Sequence, residues 1–193
     1  GTLTKGEPSV TDIVRSLEFG VRSEDLILQL AASAEKGSEH PLGESIVRKA
    51  KEMNIVLSDA ERFNAIPGHG LEARIQGKEV LLGNLKLMRD RGIKLNGLEK
   101  EAERLSDEGK TPMFLSVDGK AAGIIAVADT LKPDSKNAVD AMRKLGLEVI
   151  MITGDNKRTA EAIAKQVGIK RVLSEILPED KARHVKMLQA EGK

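Results

Sequence analysis

The sequence predicts an α/β fold in two parts, and three observations support this prediction. In the last third, an apolar run rich in β-branched residues, Leu147–Ile152, ends abruptly at Thr153-Gly154-Asp155-Asn156. Segments with helical periodicity lie on both sides of this run, and a helix–strand–helix order is typical of an open α/β sheet. The first two thirds instead contain short alternating strands, two of them joined by Asp118-Gly119, which favours an antiparallel hairpin. We therefore place the boundary between the two parts near residues 127–130.

The composition excludes several classes of function. The chain of 193 residues carries 31 Lys and Arg against 30 Asp and Glu, so its overall charge does not recruit nucleic acid. Aromatic residues make up only 2%, which leaves almost no stacking platforms for single strands. Because Cys is absent, disulfides, thiolate zinc sites and thiol catalysis are excluded. The 3 histidines lie far apart in the sequence, and we predict no metal site among them.

The N-terminal segment is predicted to contain one strand and two helices. Residues 8–14 alternate in the manner of a strand. Two amphipathic helices follow, with apolar faces formed by Ile27, Leu30, Ala31 and Ala34 in the first and by Leu42, Ile46, Ala50 and Met53 in the second. Ser38-Glu39-His40 lies at the turn between these helices, and Pro41 suits a first helical position. Glu39 and His40 are therefore expected near free N–H groups.

The middle of the chain is predicted to form antiparallel strands and two short helices. The strands are expected at 63–75, 80–82, 113–117 and 121–127, and the helices between 84 and 108. The first strand is interrupted at Pro67-Gly68-His69-Gly70. Glycine in such a segment marks a bulge or a close approach of the backbone to a ligand, which makes Gly68 and Gly70 candidate binding positions.

The last third places polar residues at the carboxyl end of the predicted buried strand. The helices on either side have apolar stripes formed by Ala138, Ala141, Met142 and Leu145 before the strand and by Ala160, Ile163, Ala164 and Val167 after it. In open α/β sheets, ligands bind outside the carboxyl ends of the strands, where helix N-termini attract anions. Thr153-Gly154-Asp155-Asn156 occupies this place, although an ordinary strand-to-helix turn uses the same residue types.

Three further side chains could contact a ligand. Lys181 follows Pro178-Glu179-Asp180 at a predicted helix start, where its amine could reach a phosphate, although a solvated lysine is commoner. The Glu39 carboxylate could accept a hydrogen bond from an amine, and the His40 ring could lie against a flat ring, although a polar helix-start pair explains both. The residues alone therefore predict an α/β phosphate-handling domain joined to an α+β module, and they leave the substrate open.

Several short motifs resemble those of P-type ATPases. Gly1-Thr2-Leu3-Thr4 is similar to the end of the Asp-Lys-Thr-Gly-Thr-Leu-Thr signature of that family, Thr153-Gly154-Asp155 to its next phosphate-site motif, and Lys181 after Pro178 to the lysine of its third. Ser38-Glu39-His40-Pro41, Gly68 with Gly70, and Gly83-Asn84 resemble the nucleotide-binding domain of the heavy-metal branch. Ala128-Asp129-Thr130-Leu131-Lys132 resembles the copper exporters.

The resemblance implies a fold and a role for each motif. It implies a truncated haloacid-dehalogenase-like, Rossmann-type phosphorylation domain, residues 1–5 and 128–193, with an inserted α+β nucleotide-binding domain on an antiparallel sheet, residues 6–127. Glu39 and His40 would hold the adenine, Gly68 and Gly70 would let the nucleotide pass close, and Gly83-Asn84 would support that pocket. Thr2, Thr153, Gly154, Asp155 and Lys181 would surround the transferred phosphate. Phosphoryl transfer depends on positioning and charge neutralisation, which these residue types supply.

The resemblance also implies what lies outside this chain. The phosphorylated aspartate would precede Gly1, and a Gly-Asp-Gly segment that helps to hold Mg²⁺ would follow Lys193, so we expect ATP binding with Mg²⁺ but no turnover. The expected partners are ATP and the transmembrane and actuator domains of the parent protein, at the cytosolic face of a membrane. The transported metal would bind outside this chain.

Two alternatives are compatible with the same residues. A soluble phosphatase of the haloacid dehalogenase type would use the same Thr and Lys residues, but it would not need an adenine pocket. A non-catalytic nucleotide-binding module would use the pocket alone. The resemblance further predicts that Thr2–Thr4 pairs in parallel beside Val149–Ile152, because both strands would end at one phosphate site.

Overall fold

The computed structural model describes residues 2–17, 24–177 and 180–190. Its strands are β1 (Thr4–Arg15), β2 (Arg62–Ile66), β3 (Gly70–Ile75), β4 (Lys78–Gly83), β5 (Thr111–Val117), β6 (Lys120–Leu131), β7 (Ile150–Ile152) and β8 (Arg171–Leu173). Its helices are α1 (Glu24–Glu35), α2 (Pro41–Glu52), α3 (Leu85–Asp90), α4 (Leu98–Asp107), α5 (Ser135–Lys144), α6 (Lys157–Val167) and α7 (Lys181–Ala190). No helix in these ranges is both long and apolar enough to span a bilayer.

Two compact units divide the chain. Unit one comprises Gly1–Leu105 and Lys110–Leu131, and unit two comprises Ser106–Gly109 and Lys132–Lys193. The sequence-based division assigns residues 6–127 to a nucleotide-binding domain and residues 1–5 and 128–193 to a phosphorylation domain. Compactness does not test these functional assignments, so this division stays a prediction.

Unit one is built on a six-stranded antiparallel sheet with the strand order β1-β6-β5-β4-β3-β2. Neighbouring residues of β4, β5 and β6 enter separate apolar clusters: Leu82 packs with α1 and α2, whereas its neighbour Leu81 packs with α3 and α4. The predicted hairpin is present, because Asp118 and Gly119 both have positive φ, at 48° and 78°, as a tight turn between β5 and β6 requires. Helices therefore cover both faces of this sheet.

Unit two contains a short parallel pair of strands. Ile150 of β7 lies opposite Arg171 of β8, and α6 connects the two strands. Asn156 caps the start of helix α6, where its side chain accepts from the Thr159 N–H, and Gly168 caps the end with a left-handed φ of 80°. The strand–loop–helix unit predicted from the sequence is thus present, although β7 is shorter than the apolar run.

The predicted parallel pairing of Thr2–Thr4 with Val149–Ile152 is wrong for the described residues. Thr4 begins β1 and lies opposite Leu131 of the antiparallel neighbour β6. An irregularity between Thr4 and Pro8 is held by Gly6, whose N–H donates to both carboxylate oxygens of Asp129 at 3.1 and 3.2 Å. These bonds join the first residues of β1 to β6.

The predicted apolar face of α5 is also wrong. Ala138, Ala141, Met142 and Leu145 are all exposed, and the buried residues of the helix are Ser135 and Val139. Within unit two, α5 packs against α6, and the three-residue strands β7 and β8 offer too little apolar surface to cover a full helical stripe. Periodicity predicted the helix correctly but not which side of it is covered.

Candidate functional site

A pair of facing glycines forms the centre of the candidate site in unit one. Gly70 at the start of β3 lies opposite Gly83 at the end of β4. A Cβ on Gly70 would lie 2.2 Å from the Leu82 carbonyl oxygen, and one on Gly83 would lie 2.3 Å from the His69 carbonyl oxygen. The two backbones are therefore closer than a side chain on either glycine permits. Gly83 is buried and Gly70 is half-buried, and we call these two residues the Gly70–Gly83 pair.

Asn84 connects the Gly70–Gly83 pair to the preceding turn. Its Nδ2 donates to the Gly68 carbonyl at 3.0 Å, and its backbone N–H donates to the His69 carbonyl at 2.8 Å. Its Oδ1 accepts from the Leu87 N–H at 3.0 Å, which caps the first turn of α3. The structure thus brings together Gly68, Gly70, Gly83 and Asn84, as the sequence-based hypothesis requires.

His40 is the N-cap residue of α2. The His40 Nδ1 accepts from the Leu42 N–H at 3.3 Å, and the extended backbone of His40 precedes Pro41 at the first helical position. Both Glu39 and His40 are exposed. His40 therefore does cap the start of α2, and its exposure shows that it is not a core residue. The cap does not prevent a ligand from contacting the ring.

Glu35 is a candidate that the sequence reasoning missed. This last residue of α1 is only 4% exposed, and its Oε2 has no hydrogen-bond partner among the described residues. Burial raises the pKa of the Glu35 carboxyl, while a hydrogen bond from the Ser38 hydroxyl lowers it, and the net direction is upward. A buried acidic side chain just before the Ser38-Glu39-His40 turn indicates a polar ligand site. Its position on the buried side of α1, next to Ala31 and Ala34, was the available signal.

We expect Glu35→Gln to change the pH dependence of stability. Because the pKa of Glu35 is raised in the folded state, its contribution is fully present below the ordinary value of 4.5 and is lost as pH rises through the folded pKa. Glutamine carries no charge, so this loss should disappear. Thermal unfolding between pH 4 and 8 should show the variant gaining stability over wild type as pH rises. The exposed Glu52→Gln on α2 is the control, and a parallel pH dependence in all three proteins would contradict the assignment.

The candidate site in unit two is the loop between β7 and α6. The Thr153 hydroxyl donates to Asp155 Oδ2 at 2.7 Å and accepts from the Asp155 N–H at 3.2 Å. The Thr153 N–H donates to Leu173 of β8 at 2.9 Å, which extends the parallel ladder to the loop. Gly154 is exposed at the tip. The loop therefore lies at the carboxyl end of the strand pair, as predicted, with Thr153 and Asp155 already in contact.

The other predicted phosphate-site residues are less constrained. Lys181 is the first residue of α7, where it is exposed, and α7 buries none of its described side chains. Pro178 and Gly1, which carry part of the motif resemblance, lie outside the described residues. Thr2 is exposed two residues before β1. Across the described ranges, no group of three or more His, Cys, Asp or Glu side chains could hold a metal ion.

The chain is similar to known proteins along its whole length. A copper-exporting P-type ATPase of Bacillus subtilis (strain 168) is 48% identical over 193 residues, which are 100% of this chain and 24% of that protein. A crystal structure of a zinc-transporting PIB-type ATPase in the E2.Pi state matches 99% of this chain and 30% of that chain, with 34% identity and a TM-score of 0.66. The catalytic domain of the CPx-ATPase CopB-B shares the fold, with a TM-score of 0.73 at 24% identity over 100% of this chain and 65% of that chain.

These similarities confirm the resemblance and the fold class predicted from the sequence. The chain spans about a quarter of the length of the Bacillus subtilis relative, 24%. The model of the family described as haloacid dehalogenase-like hydrolase matches residues 1–193. The chain belongs to the haloacid dehalogenase-like hydrolase family.

Proposed function

We propose that this chain is the ATP-binding cytosolic part of a P-type ATPase that exports a heavy-metal ion, with copper as the ion. The observation that carries the proposal is the Gly70–Gly83 pair, tied to Gly68 by Asn84, in a chain similar throughout to a copper-exporting P-type ATPase. Facing glycines at the ends of two neighbouring strands suit the close passage of a flat or phosphorylated ligand. The transmembrane and actuator domains of the parent protein are the proposed partners.

The proposed nucleotide pocket uses residues of unit one. The exposed His40 ring would stack on the adenine, since aromatic faces gain from offset contact with a flat ring. Glu39 and the buried Glu35 are the carboxylates near the same helix start, and either could accept from the adenine amino group. Glu35 is favoured for this bond because its Oε2 lacks a partner among the described residues, whereas water satisfies an exposed carboxylate.

The proposed phosphate site uses Thr153, Gly154, Asp155 and Lys181 of unit two. Hydroxyl and main-chain N–H groups at the carboxyl end of β7 are suitable donors to phosphoryl oxygens, and the Lys181 amine would offset their charge. Magnesium, when bound with ATP, would neutralise the phosphates. The described residues contain no cluster of three ligands, so Asp155 would supply at most part of the coordination shell and the nucleotide the rest.

We expect this chain to bind Mg·ATP without turning it over. The resemblance locates the phosphorylated aspartate before Gly1, so binding and chemistry should separate. Calorimetric titration should show one ATP site, and incubation with γ-labelled ATP should leave no acid-stable label on the protein. Label on any aspartate of this chain would contradict the assignment of the nucleophile. Absence of ATP binding would contradict the proposed function itself.

A phosphatase acting on a small phosphate ester is the second candidate. The family match alone favours it, since the family is described as hydrolases. A phosphatase function does not explain the Gly70–Gly83 pair or the buried carboxyl of Glu35. Release of phosphate from p-nitrophenyl phosphate, with no response to ATP, would favour this candidate.

A further inference from the structure

A tight turn between two buried leucines leads into α4. Asn96 and Gly97 both have positive φ, at 48° and 91°, and the Leu98 N–H donates to the Leu95 carbonyl at 3.0 Å. This bond and these two angles are those of a type I′ turn, in which Asn-Gly is a favoured pair. Leu95 and Leu98 are 3% and 4% exposed and belong to the same apolar cluster, so both ends of the turn are anchored in the core.

The two central residues of this turn are open to solvent. Asn96 and Gly97 are both exposed, and a Cβ added to Gly97 would meet no atom of the described residues within 4 Å. Because glycine has no side chain beside its backbone nitrogen, that nitrogen can approach the carboxamide of the preceding residue. Asn96 is the asparagine of this chain that a glycine follows, whereas the others precede Ile55, Ala65, Leu85, Ala138 and Lys157.

We infer that Asn96-Gly97 is a site of spontaneous deamidation in the folded protein, and that the reaction alters the start of α4. The Gly97 backbone nitrogen attacks the Asn96 Cγ. A bond forms between these two atoms, the bond from Cγ to Nδ2 breaks, and ammonia leaves with the proton of the Gly97 N–H. Water then opens the cyclic imide at either carbonyl, which leaves aspartate or isoaspartate at position 96.

The backbone bonds of the turn do not use the nitrogen that reacts. The Leu98 N–H closes the turn, and the Lys100 N–H donates to the Gly97 carbonyl at 3.2 Å. The Gly97 N–H therefore gives up neither of these bonds when it reacts. The space beside Gly97 allows the peptide to rotate toward the Asn96 side chain while the two leucines stay in the core.

The hairpin turn between β5 and β6 provides a matched comparison. Asp118 and Gly119 have φ of 48° and 78°, close to the values at Asn96 and Gly97. Asp118 is held on both sides, however, because its Oδ1 accepts from the Glu79 N–H at 2.9 Å and its own N–H donates to the Glu79 carbonyl at 2.8 Å. An asparagine introduced by Asp118→Asn should therefore react more slowly than Asn96.

The two products should differ in their effect on α4. Aspartate at position 96 adds a negative charge near the N-terminus of the helix, where the dipole favours it, although Glu99 and Glu101 already lie in the first turn. Isoaspartate instead lengthens the main chain between Leu95 and Leu98, so the turn can no longer close with both leucines buried. The isoaspartate form should therefore melt at a lower temperature than wild type, and the aspartate form should melt close to it.

The test is to incubate the folded chain at pH 8 and to follow each asparagine by peptide mass spectrometry, with enzymatic methylation to detect isoaspartate. Asn96 should be the first asparagine converted. The product at position 96 should be lost in Asn96→Gln, and Asp118→Asn should yield product at position 118 more slowly. Ion exchange separates the products of wild type for unfolding curves, with Asn96→Asp as the reference for the aspartate form.

Several results would overturn the inference. Asn96 that stays intact in the folded chain but reacts in urea would show that the fold protects it. Equal rates at positions 96 and 118 would show that the dipeptide alone sets the rate and that the open turn has no part in it. An isoaspartate form that melts with wild type would remove the effect on α4. The inference does not depend on ATP binding, so it and the proposed function can fail separately.

Discussion

Gly70→Ala should lower the free energy of unfolding by about 3 kcal/mol or more, because two separate costs add at this position. The residue has a φ of +143°, which L side chains rarely adopt. The new Cβ would also lie 2.2 Å from the Leu82 carbonyl oxygen and 2.5 Å from the Gly83 Cα, and both are backbone atoms that cannot rotate away. β3 and β4 would have to separate. This separation should also lower the ATP affinity of the variant molecules that remain folded. Urea unfolding and calorimetry measure the two effects.

Two other glycines separate these costs. Gly77 has a φ of +74°, and a Cβ added there would meet nothing within 4 Å, so Gly77→Ala should cost only the backbone strain, about 1 kcal/mol. Gly37 has no close neighbour and no positive φ, so Gly37→Ala should change stability by less than about 0.5 kcal/mol. If Gly70→Ala lowers the free energy of unfolding no more than Gly77→Ala does, then β3 and β4 tolerate a side chain at position 70.

The sequence predicted the parts of the fold that depend on local chemistry. The Asp118-Gly119 turn, the cap at Asn156 and the end of α6 at Gly168 each follow from residues whose backbone preferences are strong. The glycine spacing and the family resemblance predicted a bulge or a close approach of a ligand at Gly68 and Gly70. The close neighbour of Gly70 in the structure is the backbone of β4, and the approach of a ligand stays a prediction. These features need only a few neighbouring residues, so a single sequence is enough to identify them.

Features that depend on distant packing could not be predicted in the same way. Periodicity places Glu35 on the buried side of α1, but the space for its carboxyl is left by Gly43 on the next helix, and periodicity does not report that pairing. Likewise, Thr4 follows β6 because Gly6 bonds to Asp129, which is far away in the sequence. The prediction that the apolar stripe of α5 is buried was wrong for a related reason. Periodicity identifies an apolar face of a helix but does not report whether another element covers that face.

His40 has a local role at the start of α2, and the proposed ligand role would use the same side chain. Its Nδ1 caps α2 by accepting from the Leu42 N–H at 3.3 Å, while the ring itself is exposed. Replacement by alanine would therefore remove both the cap, worth about 1 kcal/mol of stability, and any contact with the base. His40→Asn separates the roles, because an Asn Oδ1 can cap the helix but offers no aromatic face.

We expect His40→Asn to weaken ATP binding roughly fivefold, on the order of 1 kcal/mol, as the loss of one aromatic contact. Its melting temperature without ligand should match that of wild type, whereas His40→Ala should show the same loss of affinity together with a lower melting temperature. Calorimetric titration with ATP and unfolding curves without nucleotide measure both quantities for each protein. Wild-type affinity in His40→Asn would show that the ring does not contact adenine and that His40 serves α2 alone. A full loss of affinity only in His40→Ala would instead assign the effect to the weakened start of the helix, since that variant alone lacks the cap.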